Sequence, residues 1–168
     1  MEGVLNVPDI AITGMGCRFP GGVTTPDSYW TLLTNGVDAI VDVPADRWNS
    51  ERYYDPDPAM PGKMYIRQGG FLSESIFEFD AAFFGITPRE AERMDPQQRL
   101  LLKVVWEALE DARSRPTDGL IPRTGVFIGA FTMDNMGQQL SIHNRDTIMG
   151  HTGVSTTMTM LANRISHA

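Results

Sequence analysis

The chain has 168 residues, of which 42% are hydrophobic, 21% charged and 9% aromatic, the make-up of an ordinary globular domain. A net charge of −7 speaks against nucleic acid as a partner, which needs a basic stripe. One cysteine, Cys17, leaves no internal disulfide. No stretch reaches the ~18 apolar residues of a membrane span. The start, MEGVLNVPDI, lacks the basic front and apolar middle of a secretion signal, so the cytoplasm is the expected compartment.

Val7 to Thr13 is mostly apolar and β-branched and runs into Gly14, which predicts a buried strand of the parallel-sheet kind. Thr25-Pro26-Asp27 then opens a helix: Thr25 can cap, Pro26 suits the first turn and Asp27 suits the positive end. Asn35-Gly36 closes it. Residues 37 to 80 read as irregular, because Pro44, Pro56, Pro58 and Pro61 exclude long helices. Asp80 to Phe84 predicts a short apolar helical turn. Thr87-Pro88-Arg89-Glu90 is a start with a capping Thr and Glu three residues later.

A second start at Asp95-Pro96 leads into a helix from Pro96 to Ala112, with Arg99, Lys103, Glu107 and Glu110 as a narrow polar stripe. Its apolar remainder predicts packing on a sheet under other elements. Ser114 to Arg123 is a polar connection, and Thr124 to Ile128 is a second strand. Residues 131 to 150 read as a loop with one helical turn around Asn135 to Leu140. Gly153 to His167 reads as one helix of small side chains. This strand–helices–strand–helix order asks for a third strand after Ala168, because two strands do not make a stable parallel core.

Gly14-Met15-Gly16-Cys17-Arg18-Phe19 follows a strand, as a dinucleotide fingerprint would, but its third glycine position holds Phe19 and Pro20 blocks the helix the fingerprint needs. The glycines read instead as letting the chain turn tightly off a strand end. Cys17 has Arg18 beside it, but no helix start and no nearby histidine to make it a reactive thiolate, so it reads as a small structural residue. His143, His151 and His167 lack metal-ligand spacing, and no metal site is expected. Glu90, Glu92 and Asp95 read as helix-start acids rather than an acid–base pair.

Several blocks, in this order and spacing, resemble the β-ketoacyl synthase (ketosynthase) domain of modular type I polyketide synthases. They are Ile10 to Gly22 (IAITGMGCRFPGG), Pro44 to Trp48 (PADRW), Tyr54 to Pro56 (YDP), Gly69 to Leu72 (GGFL), Phe79 to Ile86 (FDAAFFGI), Met94 to Leu102 (MDPQQRLLL), Thr124 to Gly129 (TGVFIG) and Ala162 to His167 (ANRISH). The resemblance implies a thiolase-like α/β fold, of which residues 1–168 would be the N-terminal portion, part of one half only. It implies decarboxylative Claisen condensation of an acyl chain with a malonyl-type extender on an acyl carrier protein. A cysteine thiolate takes the acyl chain and two histidines assist decarboxylation.

None of those three groups falls on a residue of this chain, so the expectation is no catalytic residue here and a nucleophile that follows Ala168. The partners implied are a carrier-protein domain and a second ketosynthase in a homodimer. No cofactor is expected on the chain itself; phosphopantetheine would arrive on the carrier. The loop Gly129-Ala130-Phe131-Thr132 resembles the segment lining the acyl tunnel, and Thr152-Gly153 the part that nears the partner subunit. Phe131, Thr132 and Thr152 are therefore the candidate tunnel-wall residues. The piece alone is expected to be inactive. The alternative reading is a non-catalytic truncated ketosynthase that dimerises or binds.

Overall fold

The first four helices of this protein each begin where a short polar side chain accepts from a free backbone N–H. The computed structural model describes residues 9–113 and 124–167. Helix α1 (Pro26–Thr34) starts at Thr25, whose hydroxyl accepts from the Ser28 N–H at 3.1 Å while Ser28 Oγ accepts from the Thr25 N–H at 3.0 Å. It ends at Asn35, with Gly36 at φ +59°, the left-handed position that favours glycine.

The stretch expected to be irregular carries more order than its prolines indicate. Strand β1 (Ile40–Asp42) pairs antiparallel with strand β2 (Gln68–Gly70), in the register Ile40 to Gly70 and Asp42 to Gln68. Gln68 Nε2 donates across the pair to Asp42 at 2.9 Å. Between them lies the short helix α2 (Ser50–Tyr53), capped by Asn49. The prolines sit in the turns of this excursion, where a missing N–H does no harm.

Asp80 to Phe84 closes as turns, with Ile86 N–H donating to Ala81 O at 2.8 Å. Helix α3 (Pro88–Ala91) starts at Thr87, whose hydroxyl accepts from the Glu90 N–H. Helix α4 (Pro96–Asp111) matches its expected extent to within one residue. Helix α5 (Asp134–Gln139) and a 3-10 turn over Ile142–Thr147 occupy the stretch read as a mixed loop.

The last stretch is not one helix but two, α6 (Thr152–Thr156) and α7 (Thr159–His167). Thr157 is extended at ψ 138°, and the break has a distant cause described below. Helices α4 and α7 pack together and bury Leu102 and Leu161. Among the described residues no helix is long and apolar enough to cross a membrane.

The two expected parallel strands are not formed. Residues 9–18 and 124–130 are extended without ladder partners among the described residues; Val7 and the connection Ser114–Arg123 lie outside those residues. Exposure alternates along part of each, but residues 9–13 are exposed throughout, with Ile10 at 93% and Ile12 at 83%, so the buried strand expected there is not found. Val126 and Ile128 are half-buried, whereas Phe127 between them is 93% exposed. In the same way Gly14 and Gly16 face α4, and Met15 between them points outward at 53% exposure.

Gly14 and Gly16 thus lie against helix α4, where Asp111 accepts from the Met15 N–H at 2.9 Å, but no described segment lies alongside either stretch to form a ladder. β-propensity in the sequence cannot substitute for that neighbour. The chain exposes 12740 Å² at 18.6 kDa; a compact protein of that mass exposes roughly 8,200 Å².

Gly14 and Gly16 do not make the turn expected of them. They admit the backbone of α4: a Cβ at Gly16 would lie 2.5 Å from Val104 O, and one at Gly14 would collide with Ala108 O and Ala112. The turn falls to Gly21 and Gly22, at φ +83° and +77°. Arg18 then ties the segment down. Its guanidinium donates to the carbonyls of Cys17 and Thr24, both at 2.8 Å, to both carboxylate oxygens of Glu107 and to Glu74 at 3.1 Å. The hydrogen bond to Glu107 is the main reason that the Arg18 pKa is raised, against the opposing effect of burial. The polar stripe on α4 is thus a docking line, with Glu107 on Arg18 and Lys103 within 3.8 Å of Glu74.

Urea unfolding of the chain tests these contacts. Gly16→Ala is expected to destabilise by about 1–3 kcal/mol through the clash with Val104 O. Gly137→Ala, in helix α5 with nothing within 4 Å, is expected to stabilise by about 0.5–1 kcal/mol. A fall in midpoint for Gly137→Ala equal to that for Gly16→Ala would show that close approach is not the cause. Arg18→Met is expected to lose about 2–3 kcal/mol, and Arg18→Lys to recover only part, because an ammonium cannot reproduce the forked contacts.

Candidate functional site

The start of α4 gathers side chains from three parts of the chain. Asp95, 4% exposed, caps the helix by accepting from the Gln97 N–H at 2.8 Å, and its own N–H donates to Ser155 O at 2.9 Å. Gln98, 2% exposed, points the other way. Its Nε2 donates to Val154 O and Thr157 O, both at 3.3 Å, which are carbonyls beside the break between α6 and α7. The break is therefore bonded rather than merely tolerated: the amide takes up the Val154 carbonyl that an interrupted helix leaves open, and is a second donor to Thr157 O beside the Met160 N–H at 3.2 Å.

Gln98 Oε1 in turn accepts from Arg164 Nε of α7 at 2.8 Å, and Arg164 donates to Glu90 of α3 at 2.7 Å. The side chains of Arg164 and Glu90 are 10% and 20% exposed, so the charge pair is largely withdrawn from water. Glu90 does not complete the capping box expected at Thr87; its carboxylate goes to Arg164 instead.

Arg99 and Ser155 complete the cluster without partners. Arg99 Nε and the Ser155 hydroxyl are buried and make no hydrogen bond among the described residues. Burial lowers the Arg99 pKa from its ordinary value, and the charge of Asp95 works against that shift. Gln98, Arg164 and the Glu90–Arg164 pair were not singled out from sequence. The signal present was a buried polar pair inside an apolar helix pattern, and nothing local names its partners.

The three candidate tunnel residues are placed as follows. Phe131 is 94% exposed, and Thr132 is exposed beside it. Thr132 O accepts from Gln97 Nε2 at 3.2 Å. Thr152 is 3% exposed and begins α6; its hydroxyl accepts from the Met149 N–H at 2.9 Å, and its carbonyl accepts from Thr156 Oγ1 at 2.8 Å. Thr132 is thus joined to the start of α4 through Gln97, and α6, which Thr152 begins, through Asp95 and Gln98.

An open groove of about 600 Å³ lies nearby, between residues 124–128 and the apolar side of α4 and α7, and none of the three lines it. Leu102, Val105, Trp106 and Leu109 form its floor. Phe83 meets Trp106 edge-on at 4.7 Å near its rim. Among the described residues no group of three or more His, Cys, Asp and Glu side chains is placed to hold a metal ion.

Residues 8–168 match the family model for the β-ketoacyl synthase N-terminal domain. The chain is 54% identical over 125 residues to a component of the phenolphthiocerol/phthiocerol polyketide synthase of Mycobacterium tuberculosis, a match that covers 74% of this chain and 7% of that protein. It is 45% identical over 168 residues to the pikromycin polyketide synthase component PikAII of Streptomyces venezuelae, covering 99% of this chain and 4% of that one. The chain therefore spans less than a tenth of the length of these relatives. Its fold superposes on the oxazolomycin ketosynthase domain OzmH KS7 of Streptomyces albus with a TM-score of 0.81 and 38% identity, over 93% of this chain and 27% of that one. The extended segments, helices α4 and α7 and the buried polar start of α4 are the N-terminal portion of a thiolase-like ketosynthase fold, and this chain belongs to the β-ketoacyl synthase family.

Proposed function

We propose that this chain forms the acyl-binding side of a polyketide synthase condensing enzyme, an acyltransferase that extends an acyl chain by decarboxylative Claisen condensation. The observation that carries the reading is the superposition on a ketosynthase domain at 38% identity over 93% of the chain. In the reaction, an acyl group passes from the phosphopantetheine thiol of a carrier protein to an enzyme cysteine by thioester exchange. A malonyl-type thioester on a carrier protein then loses carbon dioxide. The resulting enolate carbon attacks the acyl carbonyl, a C–C bond forms, and the cysteine thiolate leaves.

Cys17 is not that nucleophile in this reading. The neighbouring cation Arg18 is already taken up by Glu107 and Glu74, and no helix of the fold starts at Cys17. The chain's own part is to shape the acyl tunnel. Phe131 supports this, being an aromatic side chain held into solvent on a loop anchored at the next residue. Thr132 contributes the anchoring carbonyl. Thr152, whose hydroxyl is occupied by Met149, acts through where it holds α6.

A homodimer fits the exposed apolar side chains Phe131, Met133, Leu140, Ile142, Ile148 and Met149, which need cover. The carrier protein supplies the phosphopantetheine arm as substrate, and the cytoplasm is the compartment proposed for the whole.

The test is a chimera in which residues 9–167 replace the matching segment of an active polyketide ketosynthase. It is expected to accept acyl groups from acyl carrier protein and to release the condensed product. A folded, dimeric chimera that neither acylates nor condenses would overturn the reading. In the same protein, Phe131→Ala is expected to change the ratio of kcat/KM between a short and a long acyl chain by about 10-fold. An unchanged ratio removes Phe131 from the tunnel wall.

A further inference from the structure

We propose that Gln97 is a positioning residue for acyl-chain selectivity, because it fixes the loop that carries Phe131 to the buried start of α4. The inference rests on the tunnel-wall reading of Phe131 and Thr132.

Three observations lead to it. First, the hydrogen bond from Gln97 Nε2 to Thr132 O, at 3.2 Å, is the one hydrogen bond that reaches residues 124–132 among the described residues. The loop has no buried side chain to hold it, since Phe131 is 94% exposed and Thr132 is exposed.

Second, the direction of the Gln97 amide is determined. Its nitrogen lies 3.3 and 3.4 Å from the two carboxylate oxygens of Asp95. An ionised carboxylate only accepts, so the NH₂ end must face it. An NH₂ group has two protons, one for Asp95 and one for Thr132 O.

Third, Asp95 is itself fixed. It is 4% exposed, caps α4 through the Gln97 N–H at 2.8 Å and donates its own N–H to Ser155 O of α6 at 2.9 Å. A continuous relay thus runs from α6 through Asp95 and the Gln97 amide to the Thr132 carbonyl. It couples the two segments that carry Phe131, Thr132 and Thr152. A tether of one neutral hydrogen bond suits a selectivity device: it sets where a loop rests without making the fold depend on it.

The substitutions separate this role from general stability. Gln97→Met keeps length and loses both donors. Gln97→Lys restores donors that reach both Asp95 and Thr132 O. In the chimera, Gln97→Met is expected to shift the short-to-long kcat/KM ratio in the direction of Phe131→Ala by about 3- to 10-fold, the value of one neutral hydrogen bond. KM for the disfavoured chain carries the change, kcat for the preferred chain stays, and Gln97→Lys returns the ratio toward the parent.

In the 168-residue chain, chymotryptic cleavage after Phe131 is expected to quicken in Gln97→Met, while cleavage after Trp30, 68% exposed in α1, is unchanged. Parent-like selectivity and cleavage in Gln97→Met overturn the inference even where Phe131→Ala alters selectivity. Faster cleavage at both sites overturns it as general loosening. Faster cleavage after Phe131 alone, with selectivity unmoved by Phe131→Ala, also overturns it, and then the tunnel-wall reading is what has failed.

Discussion

Gln98 is the side chain on which the arrangement of the last two helices depends. Residues 152–167 form an interrupted helix, and the interruption leaves the Val154 carbonyl without its helical donor, while the Thr157 carbonyl keeps the Met160 N–H at 3.2 Å. A hydrogen bond to such a carbonyl contributes about 0.5–1.5 kcal/mol, so a donor that meets it favours the break. Gln98 brings that donor from α4, and its own carbonyl end is satisfied by Arg164 from the far side of the break. One planar amide therefore bridges α4, the end of α6 and the body of α7. The guanidinium beyond it would be a buried charge without a counterion were Glu90 not 2.7 Å away on α3. One amide and one ion pair thus join four helices, beside the Asp95 N–H bond to Ser155 O and the packing of Leu102 and Leu161.

That dependence explains which parts of the fold were legible in the sequence. The caps at Thr25, Thr87 and Asp95 were, because the hydrogen bond that makes a cap spans two or three residues. The extent of α4 was legible too, since its apolar pattern is continuous. The break at Thr157 was not, because its donor lies 59 residues away. Thr156 and Thr157 are poor helix formers, which permits a break there but does not demand one. Glu90 was assigned locally and acts at a distance for the same reason: its partner is 74 residues further on.

The strands show the converse limit. Residues 9–18 and 124–130 have the composition of buried strands, yet residues 9–13 and Phe127 are exposed, and in the first stretch it is Gly14 and Gly16 that lie against α4. Whether such a segment becomes a strand is settled by the backbone beside it, and no described segment supplies one. The candidate site divides in the same way. The resemblance pointed to the 129–132 loop by position along the chain. Nothing in the sequence of that loop shows that Gln97 holds it, because the bond is to a main-chain carbonyl, which every residue has.

The Gly14-Met15-Gly16 stretch shows how one local pattern can serve two opposite ends. A glycine-rich turn after a strand leaves room either for a phosphate or for another backbone. Here the room is taken by α4, whose Val104 and Ala108 carbonyls lie where side chains would otherwise be. A helix carbonyl repels an anion, so a segment packed in this way cannot also hold a pyrophosphate. The residue that spoils the fingerprint, Phe19, packs on Tyr29 of α1 with the rings tilted by 42° and their centres 4.7 Å apart. It extends the packing that the two glycines begin, and it follows Arg18, which locks the same segment onto α4. The mismatch to a nucleotide motif and the close packing of this segment are one feature, because each glycine and the aromatic that follows serves a helix rather than a ligand.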